Sequence, residues 1–329
     1  MENILLIRLK SIGDVVFTLP AVHRIRENFP DAKITFLTSK ENAPLISGFR
    51  EVDAVIALDR AGFKGGNPKR IWTEGFSLMR GLRGGKFSLV VDFQGFGETA
   101  WFAWLSGAPR RWGNVYGPGR RWAYTQGVTL EKQIHFADRN LLLLEQCGLR
   151  PGEVRNEFFL PENALAEARQ FFLASGLDPA KSTLFIQPFT STANKNWPLD
   201  RYLAVARHWR ANGLQVLFGG GPADKAALEP VREAGFVVSA GAPLLVTAGL
   251  AQLSTLVLGS DTGILHLAVA MEKRVVMIIN SVAPGRPYPF RHADWAIAPP
   301  TADRIVSNIQ TGTVIEACER ALAETGAAQ

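Results

Sequence analysis

The sequence predicts an α/β protein of two Rossmann-like domains facing each other across a cleft. Three observations lead there. Short apolar runs alternate with stretches of helical periodicity along the chain, as expected for parallel strands covered by helices on both faces. The alternation is interrupted once, by the Gly-, Pro- and charge-rich stretch CGLRPGEVRNEFFLPEN. And 329 residues suffice for two separate cores. The expected domains are 1–165 and 166–329, with the last helix able to pack back on the first.

Taken in order, the first half offers Ile4–Leu9, Ile34–Leu37, Ala54–Leu58 and Leu89–Phe93 as buried strands. The second offers Leu184–Gln187, Gln215–Phe218, Leu256–Gly259 and Val275–Ile279. Each is a short aliphatic or aromatic run bounded by polar or turn-forming residues. Leu199–Trp209 and Ile264–Met271 carry helical periodicity, the former opened by Pro198, and a last helix is expected over about Thr313–Glu324. Ligands of open parallel sheets bind beyond the carboxyl ends of the strands. The loops that follow strands are therefore where chemistry is sought.

Composition narrows the classes. With 47% hydrophobic and 20% charged residues the chain is an ordinary globular one. It shows no basic segment leading into an apolar signal core, and no apolar run near the roughly 20 residues of a spanning helix. Cys147 and Cys318 read as buried thiols in a reducing cytoplasm. The histidines at 23, 135, 208, 266 and 292 show no zinc-type spacing, so a structural metal is not expected. No cofactor is expected either. Charge is uneven: from Asp59 to Arg121 eleven Lys/Arg face four acids, against a net +6 overall. Such a field suits nucleic acid, an anionic membrane surface or an acidic glycan or lipid; it is also what a solvated face looks like.

Four post-strand loops stand out. In LLIRLKSIGDVVFTLPAVHRI the first strand hands over to a helix through Lys10-Ser11-Ile12-Gly13-Asp14. Asp14 is there either an acid presented to a ligand or a cap of the helix. In QPFTSTANKNWPLDRY, Thr190, Ser191 and Lys195 precede a Pro-initiated helix and suit a phosphate, or form a polar capping loop. FGGGPADKAAL sets three glycines before Asp224, either for close approach of a nucleotide or as a tight turn. In LVLGSDTGILHLAVAMEKRVVMII, Asp261-Thr262-Gly263 open a helix whose amides face outward, with His266 four residues from Thr262. Asp261 as a plain N-cap is the alternative there. No Asp-x-Asp pair, G-x-S-x-G elbow, P-loop or G-x-G-x-x-G fingerprint occurs.

Read together, IRLKSIGDVVFTLPAVHRIRENFPDAKITFL, VVDFQGFGETAWFAWLSGAPRRWG, HFADRNLLLLEQCG, NKNWP and SDTGILHLAVA resemble, in order, glycosyltransferase family 9, the ADP-heptose:lipopolysaccharide heptosyltransferases. The resemblance spans nearly the whole chain. It implies a GT-B fold and metal-independent inverting transfer, with the donor on the C-terminal domain and the acceptor on the N-terminal one. By position, Asp14 matches the family's catalytic base and Lys195 its diphosphate lysine. Asp261, Thr262, Gly263 and His266 match its donor loop, Asp224 a nucleoside contact, and Arg8 a basic residue near the acceptor. Many members read Pro-Gly-Ala where this chain reads Pro188-Phe189-Thr190.

The expected function is transfer of a heptose from ADP-heptose to an anionic, lipid-linked inner-core acceptor of lipopolysaccharide. Arg8, Lys10, Gly13, Lys64 and Arg120 are the expected acceptor residues. The protein would work in the cytoplasm, in peripheral contact with the inner membrane, and not on nucleic acid. Alternatives are a nucleotide-sugar epimerase of the same fold and a non-catalytic binder of sugar nucleotides or glycans.

Overall fold

The computed structural model describes residues 1–60, 68–300 and 303–327. The chain divides into two compact units, Met1–Glu157 and Phe158–Gln329. A division after residue 165 would have cut the helix Glu162–Ala174; the chain changes unit instead within 149–161, which carries no regular structure.

The first unit runs β1 (Asn3–Ile7), α1 (Ile12–Val16), α2 (Leu19–Asn28), β2 (Lys33–Ser39), β3 (Ala54–Leu58), α3 (Pro68–Gly84), β4 (Leu89–Asp92), α4 (Gly97–Leu105), β5 (Arg110–Asn114), β6 (Gln126–Val128) and α5 (Phe136–Gln146). Its strands are all parallel in the order β3-β2-β1-β4-β5-β6. Ile4, Leu5, Leu6 and Ile7 of β1 are all fully buried, so both faces of the central strand are covered. Leu5 and Ile7 face a core that includes Leu82 of α3 and Ala100 and Ala103 of α4. Each such Leu or Ile side chain contributes about 1.5–3 kcal/mol by leaving water.

The second unit runs α6 (Glu162–Ala174), β7 (Thr183–Gln187), α7 (Leu199–Ala211), β8 (Gln215–Gly220), α8 (Glu229–Glu233), β9 (Val237–Ala240), α9 (Leu244–Leu253), β10 (Leu256–Ser260), α10 (Gly263–Ala270), β11 (Val275–Ile278), β12 (Ala296–Ile297) and α11 (Thr311–Ala327). Pro161, Pro198 and Pro243 immediately precede α6, α7 and α9, fixing the backbone where each helix starts. The parallel order is β12-β11-β10-β7-β8-β9. Val314, Ala317, Cys318 and Ala321 of α11 are buried in this unit's own core, beside Trp197, Tyr202 and Leu258. The last helix, whose return to the first domain the sequence had left open, thus seats its apolar face on the second.

Both sheets have the same topology. The first strand of each lies in the middle, the next two go to one side, and the fourth begins the other side. The order reverses between β1 and β4 and between β7 and β10. Loops diverge at such a reversal, leaving a crevice beyond the strand ends. All eight expected strands are present, and β5, β6, β9 and β12 are added outside them. No described helix is long and apolar enough to cross a membrane.

Candidate active site

At the reversal of the first sheet, β1 runs out into Arg8, which is only 9% exposed. Its Nη1 donates to the Phe93 carbonyl just past β4 at 2.8 Å, and its Nη2 pairs with Asp14 Oδ1 at 2.7 Å. Asp14 Oδ2 accepts the Ser11 N–H at 2.9 Å and the Ser11 hydroxyl at 3.2 Å. The carboxylate therefore closes the first turn of α1, as the capping alternative required, and still opens to solvent, its side chain 27% exposed. A carboxylate has about four lone-pair positions, so one remains for a hydroxyl. Lys10 is exposed on this turn and Gly13 is buried within it.

Arg8 and Asp14 line a small pocket with Asn114 at the end of β5, Tyr116 just beyond it, and Arg139 and Asn140 from α5. Arg139 lies over the Phe136 ring at 4.8 Å, and Asn140 Nδ2 donates to the Phe17 carbonyl at 2.9 Å. The sequence reading passed over these four residues. HFADRN was quoted only for its resemblance, and β5, which begins with two arginines, does not read as a strand. Arg120 donates from Nη1 to the Gly95 carbonyl at 3.0 Å, beyond β4, without lining the pocket. Lys64 lies outside the described residues.

Asp92, at the end of β4, is fully buried among neutral donors. Its Oδ1 accepts the Gln94 and Gly95 N–H groups at 2.9 and 3.0 Å, and its Oδ2 accepts the Tyr124 hydroxyl at 2.7 Å. Burial drives its pKa up, and these hydrogen bonds only partly oppose the shift.

At the reversal of the second sheet the partners are Lys195, Asp261 and His266. β10 reaches this point through Gly259, where a Cβ would meet the Gln187 carbonyl oxygen at 2.4 Å. Only glycine fits that approach. Asp261 Oδ2 takes the Lys195 ammonium at 2.7 Å, and Oδ1 meets His266 Nε2 at 3.0 Å. Burial pushes the Asp261 carboxyl up, but His266 and Lys195 outweigh it and hold the pKa below the ordinary value. An ionised carboxylate only accepts, so His266 Nε2 carries the proton. The N-cap of α10 is Thr262, whose Oγ1 accepts the Ile264 N–H at 3.3 Å, and not Asp261. This leaves the Asp261 carboxylate to its two side-chain partners.

The loop after β7 holds Lys195 in a single 3-10 turn, Ala193–Lys195. Trp197 anchors that loop by donating from its indole to the Ile309 carbonyl at 3.0 Å. Thr190 accepts the Thr192 N–H at 3.1 Å and donates to the Thr192 carbonyl at 2.9 Å, so its hydroxyl folds the loop; Ser191 is exposed. Phe189 packs on the core. Asp224 accepts the Gly221 N–H at 2.8 Å and closes its own turn. Gly219 and Gly220 are needed by the protein itself: Cβ atoms there would meet Phe185 at 2.4 Å and Leu228 at 2.5 Å. Close approach of a nucleotide is therefore not required to explain them. Lys195 also lines a pocket of about 580 Å³ with Asn280, Arg286 and the 303–307 segment. Among the described residues no three His, Cys, Asp or Glu side chains gather as a metal site.

The fold has known counterparts. The chain is 23% identical over 312 residues to the lipopolysaccharide core heptosyltransferase OpsX of Haemophilus influenzae, covering 90% of this chain and 84% of that protein. Its fold matches the glycosyl transferase family 9 structure from Veillonella parvula, with TM-score 0.87, 22% identity, and 98% and 97% of the two chains covered. It also matches Escherichia coli heptosyltransferase WaaC with ADP, at TM-score 0.78 and 20% identity over 97% and 99% of the chains. The two parallel-sheet α/β units are thus those of the GT-B type that the resemblance implied. The model of glycosyltransferase family 9 (heptosyltransferase) matches residues 75–302, most of the chain, and the chain belongs to that family of enzymes.

Proposed function

We propose that the protein transfers a heptose from ADP-heptose to an anionic, lipid-linked inner-core sugar of lipopolysaccharide, with inversion and without a metal. One observation carries the division of roles. In the first unit the cation of the ion pair is sunk and the carboxylate presented, Arg8 being 10% and Asp14 27% exposed. In the second the carboxylate is sunk and the cation presented, Asp261 being 10% and Lys195 37% exposed. A presented carboxylate suits a general base, and a presented ammonium beside a helix N-terminus suits a diphosphate.

In this reading Asp14 takes the proton of the acceptor hydroxyl as its oxygen attacks the anomeric carbon. The bond from that carbon to the diphosphate oxygen breaks, and its electron pair leaves with ADP. Lys195 and the amides that open α10 stabilise the growing negative charge. Asp261 and His266 position Lys195. The acidic sugar of the acceptor meets Arg8, Lys10 and Arg120, and its lipid keeps the reaction at a membrane face.

Support comes from family membership, from the OpsX and WaaC likenesses and from the inverted ion pairs. The test is to incubate the protein with ADP-heptose, with and without the lipid-linked acceptor, in EDTA. ADP release that requires acceptor and a product of inverted anomeric configuration are expected. Sugar turnover without acceptor would point to an epimerase. Activity lost in EDTA and restored by magnesium or manganese would refute the metal-free mechanism.

A further inference from the structure

Among the described residues twelve large apolar side chains are exposed, and seven of them lie between Phe76 and Trp122. Three are tryptophans in mutual edge-to-face contact. Trp101 lies 5.6 Å from Trp104 and 4.7 Å from Trp122 between ring centroids, and Trp104 lies 6.0 Å from Trp122. They are 52%, 42% and 47% exposed. Trp101 and Trp104 stand on α4, whose opposite side buries Thr99, Ala100 and Ala103, while Trp122 comes from the 3-10 turn Pro118–Ala123 packed beside it. Phe76 and Met79 are also exposed, on α3, which packs against α4. A contiguous patch of this kind marks a partner rather than ordinary scatter.

Charge says which partner. Between residues 75 and 128 the chain has seven Lys/Arg and two acids. Of the acids, Asp92 is fully buried and Glu98 is paired with Arg60 at 2.7 Å. Arg83 and Arg111 donate to the backbone carbonyls of Leu105 and Ala123, and Arg121 is exposed next to Trp122. Tryptophan prefers the headgroup level of a bilayer, where its ring is apolar and its N–H wet. Arginine around it is drawn to anionic headgroups.

We propose that the Trp101–Trp104–Trp122 surface docks on an anionic lipid bilayer. This deepens the reading of a lipid-linked acceptor and rests on it for its biological sense: the first unit is held where such an acceptor is embedded. The tryptophans supply insertion and the arginines orientation. Neither belongs to the Arg8–Asp14 pocket.

The test is co-sedimentation with vesicles of phosphatidylcholine alone and with about a third phosphatidylglycerol, at low and physiological salt. Binding to the anionic vesicles, weakened by salt and accompanied by a blue shift of tryptophan emission, is expected. The variant W101S/W104S/W122S should lose about tenfold or more in partitioning. R83Q/R121Q should lose the preference for anionic lipid, and both variants should keep ADP affinity and melting temperature. Equal binding by wild type and the tryptophan variant would overturn the proposal. So would a concentration-dependent dimer lost in that variant, because a second copy would then cover the patch. Transfer to a delipidated acceptor separates the two claims. Transfer without vesicle binding sinks only the docking face, and vesicle binding without transfer sinks only the catalytic reading.

Discussion

At the turning point of the first sheet a guanidinium is buried and a carboxylate faces out; at the same place in the second, a carboxylate is buried and an ammonium faces out. The strand order is identical in the two units, so topology fixes where a site lies and not its sign. The sign comes from loop placement. Arg8 is the residue that follows β1, pulled inward by the Phe93 carbonyl, and Asp14 reaches back from the next helix. In the second unit Asp261 is the residue that follows β10, and Lys195 reaches it from the loop after β7. Two further carboxylates make the same point about surroundings. Asp92, among neutral donors, has its pKa raised, whereas Asp261, between a lysine and a histidine, has its pKa lowered.

The largest break in this comparison is expected from Asp14→Asn. Asparagine can still accept a hydrogen bond from Ser11 or Arg8 but takes no proton, so kcat should fall about 10²–10⁴-fold. A variant with more than about a tenth of wild-type kcat, with chemistry rate-limiting, would leave Asp14 as a helix cap only. Next comes Lys195→Met, which keeps the stem and removes the charge. Losing a charge-assisted contact of about 1.5–3 kcal/mol should raise the donor KM roughly 10–100-fold and leave the acceptor KM alone. Asp261→Asn should move the donor KM in the same direction by less, because Lys195 loses its anchor and keeps its charge.

Arg120→Gln should act on the other substrate, raising the acceptor KM a few-fold, with high salt producing a similar effect in the wild type. Equal changes in both KM values would remove Arg120 from the acceptor side. The smallest effects are on stability against pH. Asp261, lowered below its ordinary 3.8, stabilises the fold fully above that value and loses the contribution as pH falls through its folded pKa. Asp92 is raised, so the folded state keeps a proton that the unfolded chain has released, and stability declines as pH rises from 3.8 to the folded pKa. Urea titrations across pH should therefore show a shallower acid loss for Asp261→Asn, and a shallower loss on the rising side for Asp92→Asn.

The inner strands were legible because burial on both faces writes itself as uninterrupted Leu, Ile and Val. β5, β6 and β12 were not, since outer strands tolerate Arg110, Arg111 and Gln126 and need only a few residues, down to the two of β12. Asp14, Lys195 and Asp261 were legible because each follows a recognisable strand. Arg139 was not, because it enters the pocket from the first turn of a helix whose sequence reads as ordinary amphipathic packing. The glycines before Asp224 left two readings open for a related reason. Sequence cannot distinguish a glycine that admits a ligand from one that admits Phe185 or Leu228.

The division of labour between the two ion pairs is tested most directly by titrating ADP into the wild type, Lys195→Met and Asp14→Asn side by side in a calorimeter. ADP should bind Asp14→Asn as it binds the wild type, and bind Lys195→Met about 10–100-fold more weakly. An Asp14→Asn protein that loses ADP as severely as Lys195→Met, or a Lys195→Met protein that keeps full affinity, would contradict the assignment of the donor to the second unit and the base to the first.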